Sequence, residues 1–469
     1  MSKELREIAK WEKELQRPKN RSYLAYLLLI LCVVYIADEI STQIGTLMQS
    51  VVAQAVFAPV FGADVAVARM SAFSVLGMGA SALAFLYKPL SDRYGRKPFL
   101  VINTIGMGLG MLLISVSANI PVYVLGAFVI SFFIPNDMQQ LYLFETVPPK
   151  HRATYYSIIK AAATLGMMLI PLLRDLLMGP DISRWRFVYL ILAFVALAIA
   201  VCAACFVRET DPFMKKRLEY LRMSEAERAE AKREKGAEKT QGSVINALKF
   251  IFRHRQTRWL LIGGGFIMWG MVVTMYYETT MTYGYASQFL ARGIGLAEAK
   301  ADAIPFVTQA LFLFPVGSAF FQLIQGFLSD KLGRKPTLIL MSASVVLTFF
   351  LFYFGADRDW VPTVVGLLAG SAVGSYWAAY DICCIMTSES TPTNLRASVM
   401  NVRPMLSGAF GAAAFLAPMV LINIYGDAHV GLISLLIAAP GMLLGLMLIA
   451  LKVRETKHIN LEEITGRQD

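Results

Sequence analysis

Five stretches of this chain run for roughly the thickness of a bilayer with almost no charge: Tyr23–Ala37, Val101–Val116, Phe187–Phe206, Thr337–Gly355 and Val430–Leu451. A hydrocarbon core about 30 Å thick takes roughly 20 helical residues. Several helices that are apolar on every face cannot all pack into one soluble core, so an all-α, polytopic membrane protein is expected. Of the 469 residues 56% are hydrophobic and 16% charged, where a soluble domain carries about 25% charged residues. The net charge of +11 does not point to nucleic acid, because the basic residues sit between the apolar runs and flank them, as the positive-inside rule expects. Residues 1–22 are polar and show no small-residue cleavage site behind a short apolar run, so the first span is expected to be retained.

Twelve spans are predicted, at 23–48, 68–90, 98–117, 120–146, 153–177, 185–207, 258–282, 303–328, 336–355, 361–388, 397–422 and 429–452. Lys and Arg gather on one side of this pattern, in the N-terminal tail, at Arg93/Arg96/Lys97, Lys150/Arg152, Lys331/Arg334/Lys335 and Arg396, and in the C-terminal tail. Both termini are therefore predicted on the cytoplasmic side. The expected organisation is a tail at 1–22, a six-helix bundle at 23–207, a charged linker at 208–257, a second bundle at 258–452 and a tail at 453–469. Within the linker, Ser224 followed by Glu227 is the pattern of a capping box, in which two orphan amides are satisfied reciprocally. The five cysteines, Cys32, Cys202, Cys205, Cys383 and Cys384, all fall in apolar spans and are read as packing residues rather than as disulfides or metal ligands. The small-residue runs Gly263–Gly265 and Gly408–Gly411 are read as sites of close helix contact.

An internal repeat is the most informative feature. Ser91-Asp-Arg-Tyr-Gly-Arg-Lys-Pro98 recurs as Ser329-Asp-Lys-Leu-Gly-Arg-Lys-Pro336, an offset of 238. The stretch from Glu145 to Arg152 recurs from Glu389 to Arg396, offset by 244, and Val207-Arg-Glu-Thr210 recurs as Val453-Arg-Glu-Thr456, offset by 246. Each match follows the equivalent span of its half. Two six-helix halves of the same orientation are the parallel-repeat plan of secondary transporters.

On these residues the chain resembles the major facilitator superfamily along nearly its whole length. The loop after the eighth span matches the family's Gly-x-x-x-Asp-Arg-x-Gly-Arg-Lys pattern from Gly326, with Lys331 in place of the first Arg. The Glu-x-x-Pro-x-x-x-Arg motifs and the ending Val453-Arg-Glu-Thr-Lys457 are similar to the sugar-porter branch and to metabolite–proton symporters. The resemblance implies twelve helices in two bundles related by a pseudo-twofold axis, and transport by alternating access.

Two sets of residues are candidates for function. The first is a cytoplasmic gate: Asp92, Arg93 and Arg96 with Glu145 and Arg152, and Asp330 and Arg334 with Glu389 and Arg396. Carboxylates and guanidiniums at helix ends can pair bidentately, latching the halves in one state and releasing them in another. The alternative is that these charges only fix topology, and the family resemblance favours the latch. The second set is deeper. Asp137 and Asp381 are repeat-equivalent, each eight residues before its end-of-helix Glu, and Glu39 and Glu278 are also equivalent. Eight residues is about 12 Å of helix. Acids at such depth cost about 2.5–3.5 kcal/mol each if they face lipid, so they are expected to border a wet cavity or each other. The resemblance implies that spans 1, 4, 7 and 10, which carry them, line the central cavity, and that Asp38 competes with Glu39 for the proton-coupling role. Gln140, Tyr277, Trp377 and Tyr380 lie on the same helices and suit stacking on a sugar or cation–π contact. Arg403 is read three ways: it neutralises a cavity acid, clamps an anionic substrate or snorkels to the edge. Arg174 and Asp175 are expected as a surface pair at the outer end of span 5.

The reading that follows is a secondary transporter of a small polar solute, a sugar or polyol or an organic cation, moved in symport with protons. Drug or metabolite efflux is the alternative, disfavoured because span 5 matches the Gly-Pro-rich efflux motif poorly, and a nutrient sensor is disfavoured by the short tails. No enzyme motif, cofactor or metal site is expected. The partners expected are the solute, protons and the bilayer, around a monomer. Short outer loops without Asn-x-Ser/Thr sites point to a bacterial inner membrane.

Overall fold

A computed structural model of the chain describes residues 3–16, 21–87, 90–134, 142–143, 145–146, 152–224, 227 and 244–457. Asp137 and Gln140 lie outside these residues, as do the side chains of Asp92, Arg93, Arg152 and Arg396. The described structure is helical throughout its ordered elements. Among the described residues, nine helices are long and apolar enough to cross a membrane, and ten if the bent pair Gln49–Phe61 and Ala66–Ser81 counts as one span. Two further helices stand where spans 4 and 10 are predicted. Ile120–Phe133 is shorter, and Pro362–Glu389 has the length but carries many Gly, Ser, Thr and Tyr residues.

Local chemistry explains where the helices start. Asn119 caps Ile120–Phe133 by accepting from Val122 N at 3.1 Å, with Pro121 in the first turn, where its missing N–H removes nothing. Spans 7 and 8 are longer than predicted. The seventh runs through a 3₁₀ turn from Arg255 to Ala291 and the eighth from Leu296 to Leu332. Glu278 therefore lies 13 residues before the end of its helix, about 20 Å, and not at a helix terminus.

The described chain forms two compact units. The first comprises residues 1–45, 73–167 and 186–238. Its core joins Leu27, Leu31 and Val34 of span 1 to Phe99, Leu100, Ile159 and Ala163. The first residues are not merely a tail: Lys3–Leu15 is a helix that packs on a second helix, Asp211–Arg222. Arg217 pairs with Glu7 at 2.9 Å, and Trp11 meets Phe213 edge-on at 6.2 Å. Ser224 and Glu227 form the expected capping box, with Ser224 N and Oγ donating to the Glu227 carboxylate and Glu227 N donating back to Ser224 Oγ.

The second unit comprises residues 46–72, 168–185 and 239–469. It therefore takes in two segments of the first repeat together with the whole second repeat. Its closest helix contact is between Leu296–Leu332 and Pro362–Glu389. A methyl group built on Gly366, Gly370 or Gly374 would overlap the backbone carbonyl of Ala310, Phe314 or Ser318. Glycines spaced by four lie on one helix face and let two backbones touch. Overpacking of this kind costs about 1–3 kcal/mol. Gly370→Val is expected to lower the thermal transition of the purified protein by several degrees, whereas Gly408→Val, where nothing lies within 4 Å, should leave it nearly unchanged.

Candidate transport site

The repeated motifs build the same network twice, once in each unit. In the first repeat Arg96 Nε pairs with Glu145 at 3.1 Å, and its Nη1 donates to Ser91 Oγ. Thr210 Oγ1 donates to the other Glu145 oxygen. In the second repeat Arg334 Nε pairs with Glu389 at 3.3 Å, its Nη1 donates to Ser329 Oγ, and Thr456 Oγ1 donates to Glu389. Arg334 also pairs with Asp330 at 2.7 Å. The guanidinium–carboxylate pair of each set is thus formed inside its own repeat.

Two carboxylates not singled out as site residues complete these networks. Glu209 accepts from the backbone amides of Arg96, Lys97 and Thr210. Glu455 accepts from those of Arg334, Lys335, Thr456 and Lys457. Each caps the helix that follows the basic loop, where free amides and the helix dipole favour an anion. The glycine before each helix makes this possible. Gly95 and Gly333 have φ of +113° and +107°, and the space a Cβ would fill is taken by the Glu209 or Glu455 carboxylate. The repeat of Val-Arg-Glu-Thr was the available signal.

Apart from these networks lies an ion pair that sequence neighbours conceal. Arg174 is not at the surface and does not pair with Asp175, which is exposed. Its Nη1 donates to Glu278 Oε1 at 2.9 Å and to Leu47 O at 2.7 Å, and both side chains are 0% exposed. Ser50 completes the carboxylate shell, with its N donating to Oε2 at 2.9 Å and its Oγ to Oε1 at 2.6 Å. Beside it, Thr279 Oγ1 donates to Gln49 Oε1 at 2.8 Å. Glu278 is therefore enclosed by partners rather than bordering water. Nearby, Asp427 accepts from Val67 N at 2.7 Å and Ala68 N at 2.9 Å, capping the helix that begins at Ala66. Lys300 donates to Ala63 O at 2.6 Å and lies 4.4 Å from the Tyr283 ring. Every one of these residues belongs to the second unit.

Helix Pro362–Glu389 presents Trp377, Tyr380 and Asp381, all half-buried. Gln325 Nε2 donates to Asp381 Oδ2 at 3.5 Å, and the Trp377 and Tyr380 rings meet edge-on at 6.0 Å. Arg403 is 3% exposed, its guanidinium 4.9 Å from the Tyr380 ring centroid. Tyr277 is buried and stacks on Phe314 at 4.3 Å, the position of a packing residue. Asp38 and Glu39 are half-buried on the first span, within the first unit.

A family model described as Major Facilitator Superfamily matches residues 27–401. The chain belongs to the Major Facilitator Superfamily. It is 22% identical to the glucose transporter GlcP of Staphylococcus epidermidis over 74% of this chain and 77% of that one. It is 23% identical to the inner membrane metabolite transport protein YhjE of Escherichia coli over 83% and 87%. An uncharacterised MFS-type transporter of Bacillus subtilis, YfiU, is 22% identical over 68% of this chain and 65% of its own length. Among solved structures, the inward-open xylose transporter XylE of E. coli superposes with a TM-score of 0.64 at 17% identity, over 95% of this chain and 99% of that one. The nucleoside transporter NupG gives 0.64 at 14% identity, over 90% and 99%. The fold is that of this superfamily, and the protein is a multi-pass membrane transporter.

The two caps titrate apart. Burial raises the Glu209 carboxyl above its ordinary value despite the amides of Thr210, Arg96 and Lys97. Burial acts on Glu455 in the same sense, but the amides of Lys457, Arg334, Lys335 and Thr456 outweigh it and hold that carboxyl below its ordinary value. A depressed carboxylate contributes stability that is present above its unfolded pKa and lost as pH falls through the folded one. Glu455→Gln is therefore expected to lower the thermal transition at pH 7, with the difference from wild type shrinking as the pH falls below the ordinary carboxylate range. Thermal scans at a series of pH values check this.

Proposed function

We propose that this transporter carries a small polar organic solute of sugar or polyol type in symport with protons, by alternating access. The observation that carries the reading is the buried Arg174–Glu278 pair, made from a first-repeat segment and a second-repeat helix. Breaking a buried pair by removing one partner costs about 3–5 kcal/mol. Opening the protein there therefore needs the two charges to be solvated or neutralised, which is the kind of step that proton binding supplies.

The substrate class is supported by relatives whose names describe glucose and myo-inositol transport. The half-buried Gln325, Trp377, Tyr380 and Asp381 suit it too, since rings stack on a sugar face while amide and carboxylate meet hydroxyls. Asp381, and its repeat partner Asp137, are the proposed proton carriers, with Asp38 and Glu39 on the first span. The basic loops support a cytoplasmic placement of both termini, and the twin Arg–Glu networks each brace the loop ends of their own repeat. A bacterial inner membrane is supported by the name of YhjE.

Two measurements test the reading. Asp381→Asn is expected to abolish accumulation driven by a pH gradient in proteoliposomes while solute exchange continues; undiminished accumulation removes Asp381 from the coupling mechanism. Glu278→Gln leaves Arg174 without its counter-charge and is expected to speed labelling of a cysteine at position 50 (Ser50→Cys background) by an impermeant maleimide. Labelling at the unaltered rate argues against the pair as the outer gate.

A further inference from the structure

Residues 46–72 come from the first repeat but cluster with the second, and second-repeat side chains hold them at two places. The first is Ser50, bound to the Glu278 carboxylate beside Arg174. The second is the turn at 62–68. Asp427 is fully withdrawn from solvent and takes the amides of Val67 and Ala68, one on each oxygen, at 2.7 and 2.9 Å. Its own amide donates to Asp64 O at 2.8 Å. Lys300, 4% exposed, donates to Ala63 O at 2.6 Å and lies over the Tyr283 ring. Both charges stand away from the basic loop of their unit. Lys300 is in the first turns of helix Leu296–Leu332, which carries Lys331 in its last turn. Asp427 directly precedes helix Val430–Lys452, whose far end leads to Glu455. A turn that never moves needs no such arrangement. A Ser, Thr, Asp or Asn of the turn itself can cap the helix that follows, and apolar packing can hold the rest. Here the cap comes from a residue 360 positions away from Val67, and two buried charges, each costly to desolvate, grip backbone atoms of one short turn.

We propose that Asp427 and Lys300 are gating residues: they form a second latch, which holds residues 62–68 shut and has to let go in the same opening step that breaks the Arg174–Glu278 pair. Hydrogen bonds with an ionised partner are roughly twice as strong as neutral ones, so the latch favours the closed form. It does not forbid opening, because water takes the place of the lost amides and carbonyl once the turn lifts. A charge that gains water on opening suits a contact made and broken in each cycle better than an apolar contact does, since exposing apolar surface is opposed throughout. The inference rests on the reading of the Arg174–Glu278 pair as the outer gate and adds residues to it.

The test is labelling by an impermeant maleimide of a cysteine at position 52 (Val52→Cys), a residue 0% exposed within the held segment. The full-length protein is used in proteoliposomes without solute, and the rate is read above that of the chain with valine at 52. Asp427→Ala is expected to raise the rate by about tenfold or more, the effect of losing charge-assisted hydrogen bonds, and Lys300→Met by several-fold. Asp175→Asn, at an exposed acid, is expected to change nothing. Two latches on one opening step add their free energies, so Asp427→Ala with Glu278→Gln is expected to multiply the two single effects. A cysteine at 345 (Val345→Cys), buried in helix Arg334–Asp357, is expected to stay unlabelled in every variant, which marks local opening rather than unfolding. Should Asp427→Ala fail to fold, Asp427→Asn, which keeps one acceptor oxygen, and Lys300→Met carry the test. An unchanged rate in these variants, a double variant no faster than Glu278→Gln alone, or labelling at 345 that rises in step overturns the inference. Faster labelling from Asp427→Ala with none from Glu278→Gln removes the ion pair from the gate and leaves the latch standing, and the reverse sinks the latch alone.

Discussion

A charge at depth in a bilayer must be paired, and in this chain Arg174 and Glu278 meet that demand with each other. Both side chains are fully withdrawn from solvent. The effective cost of desolvating such ions is several kcal/mol each, so the carboxylate is held by every donor within reach: one guanidinium nitrogen, a backbone amide and a serine hydroxyl. The guanidinium is less well served, because its Nε and Nη2 are buried with no hydrogen-bond partner among the described residues. The pair also accounts for why residues 46–72 and 168–185 cluster with the second repeat, since Ser50 and Arg174 are the residues that the Glu278 charge recruits.

The twin Arg–Glu networks are built differently. There the charges are partly solvated, and the work is done by geometry repeated twice. A glycine at positive φ opens room for a carboxylate, which takes the free amides of the next helix, while Arg, Glu, Ser and Thr close the ring. The duplication is not perfectly symmetric. Glu209 is the more enclosed of the two caps and is raised by burial, whereas Glu455 collects four amides and is lowered. Two sites with one ancestral pattern therefore respond differently to acid.

Much of this was legible in the chain because the relevant signals are local. Hydropathy over about 20 residues reports a span directly, and identical chemistry recurring at a near-constant offset reports the duplication. Errors arose where the signal is not local. Arg174 has Asp175 beside it, yet adjacent residues on a helix do not face each other, and the true partner lies 104 positions away. The helices of spans 7 and 8 continue through outer turns polar enough to resemble loop. The Gly366, Gly370 and Gly374 face is silent in the sequence, because spacing by four becomes informative only when the opposing helix is known.

Sequence alone determined that the chain crosses a membrane many times, that it is a duplication, and which carboxylates and guanidiniums occupy equivalent places. These follow from transfer free energy and from repetition, neither of which depends on which helices touch. Tertiary structure alone decided the partners: Glu278 with Arg174, Glu209 and Glu455 with the amides that open helices Arg96–Ser115 and Arg334–Asp357, and Arg403 with a ring and a thiol. Pairing is a matter of distances of a few ångströms between residues remote along the chain, and a linear order of side chains holds no information about such distances until the helices have packed.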